Sequence, residues 1–160
     1  MAESELCFDN FMNEVDPLYR DFVTRTHEQL LQSGCKLKLS SAKNGYVVSY
    51  AYGKKTRVIL NFVFRKKALV VRIYGDNARQ YLDFLNSLPV EMKKTIEKAP
   101  NCKRFEVPPK CNSLCGGNVF TMDGIQYQKC RYSCFMFVVD DISIPAITTF
   151  INNELSARKE

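Results

Sequence analysis

Hydrophobic residues recur at three- and four-residue spacing over residues 8–33, which predicts a helical region. Asp16-Pro17 interrupts this pattern, and a proline preceded by a capping residue is typical of a new helix start. Gly34 is a suitable end, because glycine adopts the left-handed conformation that closes many helices. The chain is therefore predicted to open with two consecutive helices.

From Lys36 onward the pattern changes to that of β-strands. Three stretches rich in β-branched and aromatic residues cover residues 46–52, 57–64 and 68–74. Polar turn sequences precede the first two of them, KNG and GKK. Alternation in the second and third stretches places apolar residues on one face and arginine, asparagine and tyrosine on the other. The pattern predicts a sheet with one core face and one basic, aromatic face.

The second half of the chain mixes both patterns. Its predicted elements are helices over 77–88 and 90–99, a loop over 100–117, a hairpin joined at Asp123-Gly124, a strand over 130–139 and a helix over 142–155. The whole chain, residues 1–160, is predicted to form a single α+β domain. Its antiparallel sheet should have about six strands, with helices packed mainly on one face.

The net charge of +6 is distributed unevenly along the chain. Residues 1–35 carry seven acidic and two basic side chains, whereas residues 36–75 carry ten basic and no acidic ones. The remaining residues are nearly balanced, with eleven basic and ten acidic side chains. An anionic partner should therefore contact the segment 36–75.

Cysteines concentrate within residues 100–134, which form a cysteine-rich loop and hairpin. Cys111 and Cys115 make one C-x3-C pair, Cys130 and Cys134 make a second, and Cys102 lies just upstream. Two short-spaced pairs of soft ligands are typical of structural zinc, which binds four such ligands tetrahedrally. These five cysteines are therefore the candidate zinc ligands.

Strand geometry sets a condition on this zinc site. A regular strand would hold Cys130 and Cys134 roughly 13 Å apart, whereas two thiolates on one zinc ion lie about 4 Å apart. Both can bind the same ion only if the chain bends near Arg131. The alternatives are buried reduced thiols without metal, and a disulfide or redox pair. The odd total of seven cysteines and the lack of a C-x-x-C motif disfavour the redox alternative.

The basic strands suggest two further sites. Basic residues interleaved with tyrosines on a sheet are typical of surfaces that bind single-stranded nucleic acid, although lysines at hairpin ends also serve simply to protect sheet edges. The smaller alternative is a pocket for a small anion. Its candidate residues are Tyr50, Arg57, Asn61, Arg72 and Tyr74.

Catalysis has little support in the sequence. The only histidine, His27, lies in a predicted helix with no nucleophile placed beside it, and no glycine-rich phosphate loop occurs. No apolar run approaches the length of a membrane span, and the acidic start of the chain lacks the pattern of a signal peptide. We therefore expect a cytoplasmic protein that is not an enzyme and does not bind membranes.

The stretch YAYGKKTR at residues 50–57 also carries a family resemblance, supported by the closing helix over 142–155. It resembles small uncharacterised bacterial proteins allied to the YdhG-type and YjbR-type α+β domains, in which a tyrosine-rich strand and a basic hairpin precede a helix-backed sheet. The similarity covers roughly two-thirds of the chain, and the cysteine-rich region departs from it. The resemblance implies a non-enzymatic, ligand-binding domain, with an iron-chaperone role suggested for some relatives.

These observations give a leading functional expectation and one runner-up. The leading expectation is a binding domain for an unknown small ligand, with a cysteine-rich lobe stabilised by structural zinc. The runner-up is a nucleic-acid-associated regulatory protein that uses the basic strands 36–75. A thiol enzyme or a metal carrier that uses the cysteines directly is a third alternative.

Overall fold

The computed structural model of the chain describes residues 7–43, 45–103, 108 and 117–159. Helices and strands follow one another without a repeat. The helices are α1 (Phe8–Glu14), α2 (Arg20–Gln32), α3 (Leu82–Asn86), α4 (Val90–Lys98) and α5 (Ser143–Arg158). The strands are β1 (Lys36–Ala42), β2 (Gly45–Tyr52), β3 (Arg57–Arg65), β4 (Ala68–Ile73), β5 (Asn118–Met122), β6 (Ile125–Lys129) and β7 (Met136–Val138).

The strands form two antiparallel sheets. The larger one has the order β1-β2-β3-β4-β7, and β5 pairs only with β6. The predicted single-domain α+β fold is confirmed. The predicted hairpin at Asp123-Gly124 also forms, but as a separate two-stranded sheet rather than as part of one six-stranded sheet. Among the described helices, none has both the length and the apolar character needed to cross a bilayer.

The interruption predicted at Asp16-Pro17 is present between α1 and α2. Pro17 begins a short 3-10 turn, and the Asp16 carboxylate accepts a hydrogen bond from the backbone N–H of Leu18 at 3.0 Å. A carboxylate at this position satisfies one of the donors that a helix start leaves unpaired. The region predicted as one helix over 77–88 is likewise divided, into a 3-10 turn (Ala78–Gln80) and α3.

One face of the large sheet carries the core. Strand pairing places Tyr50 opposite Leu60, and Phe62 opposite both Val48 and Val71. The ring of Phe11 from α1 lies 5.9 Å from that of Phe62, and on the same face Phe150 from α5 lies 6.3 Å from Phe137 of β7. Helices from both ends of the chain therefore pack on this one face.

The tyrosines of β2 correct the prediction of a basic, aromatic face. Tyr46 and Tyr50 are buried on the helix-covered face, where their rings contact Phe11 and Phe62, respectively. Alternation along β2 assigns them to this face because Val48, which lies between them in the pattern, pairs with Phe62. The opposite face therefore presents basic residues without these two aromatic side chains.

A bulge further alters the alternation predicted for β3. Its register with β2 shifts between Tyr50 and Ala51, so that Tyr50 pairs with Leu60 while Ala51 pairs with Val58. Ile59 is the extra residue and is fully buried. A bulge of this kind bends the strand and redirects the residues beyond it. Arg57 consequently lies at a redirected strand end beside the turn that follows β2.

The strand predicted over 130–139 is wrong in its first half. Only Met136–Val138 is strand, and the preceding residues form a turn in which the N–H groups of Ser133 and Cys134 both donate to the carbonyl of Cys130. The residues predicted to alternate between the two faces of a strand therefore form a tight turn. This geometry brings Cys130 and Cys134 one turn apart.

Asp140 lies just before the last helix, where an acidic residue is typical of a cap, and it does cap that helix. Its Oδ1 accepts hydrogen bonds from the backbone N–H groups of Ile142 at 3.0 Å and Ser143 at 2.7 Å. The hydroxyl oxygen of Ser143 in turn accepts a hydrogen bond from the backbone N–H of Asp140 at 3.0 Å, and the hydroxyl donates to the carbonyl of Val138 at 2.7 Å. The helix extends to Arg158, beyond the predicted end at residue 155.

Gly75 links β4 to the segment that carries the candidate site. A Cβ at this position would lie 2.8 Å from the ring of Phe135 and 3.0 Å from that of Phe150. These two rings pack against each other at 4.8 Å in the core. The chain can leave β4 along this path only because residue 75 has no side chain.

Gly75→Ala is expected to destabilise the protein by about 1–3 kcal/mol, because two buried rings must move to admit a methyl group. Chemical denaturation of both proteins measures the difference. Gln32→Ala, at the exposed last residue of α2, is the control and should change stability by less than about 0.5 kcal/mol. Equal stability of Gly75→Ala and the parent protein would contradict this account of the packing.

Candidate functional site

Asp76 collects three arginines directly after β4. Its carboxylate accepts two hydrogen bonds from Arg131, at 2.6 Å to Nε and 3.1 Å to Nη2, and one from Nη2 of Arg158 at 3.1 Å. Nη2 of Arg57 lies 3.5 Å away. The paired oxygens of the carboxylate match the fork geometry of Arg131. Asp76 thus joins the end of β4, the turn before β7, the start of β3 and the end of α5.

Arg158 is a structural residue of this cluster. Its Nη1 donates to the carbonyls of Arg57 and Val58, both at 3.2 Å, and its Nη2 donates to the carbonyl of Tyr74 at 2.7 Å as well as to Asp76. Its Nε donates to Glu154 at 2.6 Å. A guanidinium has five N–H groups, so all of them are used. Arg158 therefore anchors the end of α5 to the ends of β3 and β4.

Glu154 forms the buried side of the cluster. It is fully buried, and besides Arg158 it accepts hydrogen bonds from the backbone N–H and the side-chain amide of Asn77, at 3.1 and 2.9 Å. The hydroxyl of Tyr81 donates to it at 2.6 Å. Burial, together with the neighbouring Glu154 carboxylate, raises the pKa of Tyr81, which keeps this hydroxyl a donor. A buried carboxylate needs such partners.

Arg131 is held between aromatic rings. Its guanidinium carbon lies 4.7 Å from the ring centre of Tyr74 and 5.4 Å from that of Tyr132. Burial alone would lower the pKa of Arg131, but its hydrogen bonds to Asp76 and the negative charge there outweigh this, so the pKa is raised. Arg131 is therefore positioned by stacking and by its ion pair.

A cavity of about 690 Å³ opens over this cluster. Its walls come from the turn between β2 and β3, the segment after β4, the turn before β7 and the end of α5. The charged residues that line it are Lys54, Lys55, Arg57, Asp76, Arg79, Arg131, Arg158 and Lys159. Seven cationic side chains thus surround one carboxylate. The volume is within the range of small-molecule sites, and the charge selects for anions.

Four of these cations have no acidic partner. Within the part of the chain that the structure describes, no carboxylate lies within salt-bridge distance of Lys54, Lys55, Arg79 or Lys159, and all four are exposed. Arg131 and Arg158, by contrast, are engaged with Asp76 and Glu154. The cavity therefore has an internally paired floor and an unpaired cationic rim.

The five residues predicted to bind a small anion do not form one site. Arg57 lines the cavity, and Tyr74 lies beneath Arg131. Tyr50 is on the helix-covered face, where its hydroxyl lies 2.7 Å from Nδ1 of His27. Asn61 and Arg72 pair with each other across β3 and β4 on the opposite face. Residues that the sequence pattern placed in one pocket therefore lie on different faces of the sheet.

Asn61 and Arg72 each have a buried polar atom that makes no hydrogen bond within the described part of the chain. Oδ1 of Asn61 and Nε of Arg72 are both buried without a hydrogen-bond partner, which is uncommon in folded proteins. Across the neighbouring strands, Asn61 pairs with Ser49 of β2 and Arg72 pairs with Met136 of β7. The described chain thus has a second polar position on the sheet, separate from the cavity.

The cysteines are partly described. Cys111 and Cys115 lie outside the described residues, whereas Cys102, Cys130 and Cys134 are free thiols. The bend that the zinc hypothesis required near Arg131 is present in the turn at Cys130–Cys134. Cys102 is carried to the same region, because its N–H donates to Gln128 while that of Cys130 donates to Pro100. Among the described residues alone, no three ligands come together in a group able to hold a metal.

The thiols of Cys35 and Cys134 are not activated as nucleophiles. Burial raises the pKa of Cys35 to about 11 and that of Cys134 to about 12, whereas a reactive cysteine needs a lowered pKa. His27 stacks on Phe8 with ring centres 3.8 Å apart and contacts the Tyr50 hydroxyl. Burial lowers its pKa. This histidine has the surroundings of a packing residue.

Comparison with known proteins finds no family model, no curated protein and no solved structure that matches this chain. The resemblance to YdhG-type and YjbR-type domains is therefore left as a prediction. The functional argument depends on the geometry of the chain itself.

Sequence reasoning missed most of the cavity. Asp76, Arg131 and Arg158 belong to the segment whose charge is almost balanced, so charge counting gave no signal for them. Lys54 and Lys55 were noted as turn residues, and Arg57 as a candidate. No sequence signal groups these residues, because the turn at Lys54–Lys55 and the end of α5 become neighbours only in the folded chain.

Arg158→Met is expected to destabilise the protein by about 3–5 kcal/mol, because it leaves the buried Glu154 without its cation. Arg57→Met is the matched control: it removes the same group from Asp76, but Arg57 is 60% exposed, and such pairs contribute about 0–1 kcal/mol. Denaturant titration of both variants tests this difference. Equal effects would contradict the structural role assigned to Arg158.

Proposed function

We propose that this chain is a non-enzymatic binding domain for a small anion, which it holds in the cavity above Asp76. The observation that carries the proposal is the cationic rim: Lys54, Lys55, Arg79 and Lys159 line the cavity, and none of them has an acidic partner among the described residues. Concentrated unpaired charge destabilises a fold through self-repulsion. A bound anion would relieve that repulsion.

A small anion is preferred to single-stranded nucleic acid for two reasons. Binding of bases needs exposed aromatic rings, and Tyr46 and Tyr50 face the core instead. The basic residues of 36–75 are also divided between the two ends of the sheet, with Lys54 and Lys55 at one turn and Lys66 and Lys67 at the opposite one. A single continuous track for a strand has less support than a pocket.

A non-enzymatic role is proposed because the sole histidine, His27, stacks on Phe8 and contacts the Tyr50 hydroxyl rather than a nucleophile, and because burial raises the pKa of Cys35 to about 11. We further propose a reducing location such as the cytoplasm, which would keep the cysteines unpaired. Neither proposal depends on the family resemblance.

Calorimetric titration with pyrophosphate and with citrate tests the binding function. Both are expected to bind at low salt and to weaken as salt rises, because exposed charges are screened. The triple variant Lys54→Gln, Lys55→Gln, Arg79→Gln should bind at least about tenfold more weakly, since three favourable charge contacts of about 0.5–1 kcal/mol are lost.

The matched control removes three positive charges at the opposite end of the sheet. Arg65→Gln, Lys66→Gln, Lys67→Gln should leave the affinity within about twofold, since these residues do not line the cavity. Absence of binding by the parent protein, or an equal loss in both triple variants, would contradict the proposed pocket.

We also propose that the cysteine-rich lobe is stabilised by structural zinc. Support comes from the turn at Cys130–Cys134, which supplies the bend that the site requires, and from the backbone pairing that brings the segment of Cys102 to the same hairpin. These three described cysteines do not by themselves form a metal-holding group. The remaining ligands would be Cys111 and Cys115, which lie outside the described residues. When bound, zinc would cross-link the lobe and add its binding free energy to folding.

Elemental analysis of protein purified without added metal is expected to give about one zinc ion per chain. Chelation should then lower the melting temperature, and Cys130→Ser should remove the metal. Cys7→Ser should retain it, because Cys7 is an exposed residue at the start of α1 and is not a candidate ligand. A metal-free protein whose seven thiols all titrate in the native state would rule out the zinc site.

A further inference from the structure

The lining of the cavity restricts its ligand beyond the sign of the charge. Besides charged residues, the walls include Gly53, Gly117, Asn77, Ala157 and Tyr52. Tyr52 is the only aromatic side chain in the described lining, and it is half-buried. The nearby ring of Tyr74 is not available, because it is 4% exposed and lies beneath Arg131. Among the described residues, the walls therefore combine charged side chains and backbone with a single, half-buried aromatic ring.

The number of cations indicates a ligand with several negative charges. Two carboxylates, Asp76 and Glu154, balance two of the three arginines near them, so the net positive charge is five: the four rim cations plus one for Arg57, which shares Asp76 with Arg131 and Arg158. Each phosphate monoester carries roughly 1.5 to 2 negative charges at neutral pH and three acceptor oxygens. Three phosphate groups would approximately match the rim.

The positions of these cations also favour several separate anionic groups. Lys54 and Lys55 come from the turn between β2 and β3, and Arg57 begins β3. Arg79 comes from the segment after β4, and Lys159 follows α5. One phosphate group, with a radius of a few ångströms, cannot span all the walls of a cavity of about 690 Å³. A ligand with phosphates distributed around a carrier can contact each wall.

We infer that the ligand is a small, non-aromatic molecule bearing three or more phosphate groups, such as a multiply phosphorylated polyol or a short polyphosphate. This inference rests on the proposed anion-binding function and specifies its ligand class. Lysines act as point charges towards phosphate, and Arg57 and Arg79 add forked donors. The described lining has only one aromatic ring, that of half-buried Tyr52, so it offers no pair of rings to hold a nucleobase.

Calorimetric titrations at physiological salt, with inositol hexakisphosphate, tripolyphosphate, ATP, citrate and inorganic phosphate, test the inference. Inositol hexakisphosphate or tripolyphosphate should bind at least about tenfold more tightly than citrate and about a hundredfold more tightly than phosphate, because the number of charge contacts rises. Whichever of the two binds more tightly identifies the polyol or the linear form. ATP should bind no more tightly than tripolyphosphate.

The two triple variants locate the binding. Lys54→Gln, Lys55→Gln, Arg79→Gln should reduce the affinity for the better phosphate ligand at least about tenfold, while Arg65→Gln, Lys66→Gln, Lys67→Gln should change it by less than about threefold. Circular dichroism and thermal melting confirm that both variants are folded, and Lys54→Gln alone, at an exposed turn, gives a milder variant with a smaller loss in the same direction.

Three outcomes would overturn the ligand class. Citrate binding as tightly as inositol hexakisphosphate and tripolyphosphate would show that phosphate is not selected, and ATP binding about tenfold more tightly than tripolyphosphate would show that a base is recognised. In both cases an anion pocket would remain, so the proposed function would survive. Absence of binding by any of the anions would instead overturn both.

Discussion

The ion-pair cluster of Arg158, Glu154 and Asp76 is the contact on which the arrangement of the candidate site depends. Arg158 donates to two carboxylates and to three backbone carbonyls, which belong to the ends of β3 and β4. Ion pairs as buried as this one contribute less to stability than to fixing one geometry, because desolvation offsets their attraction. Here the geometry fixed is the position of α5 relative to the sheet.

This anchoring explains why charges gather at one end of the molecule. The turn between β2 and β3, the segment after β4 and the end of α5 all meet around Asp76, and each contributes cations. The inner arginines are neutralised by Asp76 and Glu154, whereas the outer lysines are left unpaired. The result is a rigid, satisfied floor with a charged rim, an arrangement that can receive an anion without reorganising its core.

Local sequence signals predicted the elements well where periodicity and turn chemistry agreed. The helix start at Asp16-Pro17, the hairpin at Asp123-Gly124 and the cap at Asp140 follow from interactions within a few residues. The errors arose where contacts are non-local. The strand predicted from Cys130 onward instead begins with a turn, where Arg131 reaches the distant Asp76 and the turn's backbone bonds close on the Cys130 carbonyl. The face occupied by Tyr46 and Tyr50 became clear only from the pairing of the intervening Val48 with Phe62 of β3.

The candidate site likewise has some features that local sequence indicates and others that depend on distant contacts. The charge excess of residues 36–75 and the basic turn at Lys54 and Lys55 were visible in the sequence, and so was the requirement for a bend near Arg131. The partners of these residues lie far away along the chain, since Arg158 contacts residues about a hundred positions earlier.

The α+β class, the turns and the helix caps can be predicted from the sequence, because they depend on local periodicity and neighbouring side chains. The face of the sheet that each tyrosine occupies, and the set of basic residues that share a cavity, follow from the three-dimensional fold. This is because strand register, the bulge at Ile59 and the buried ion pairs act between residues that are distant in sequence.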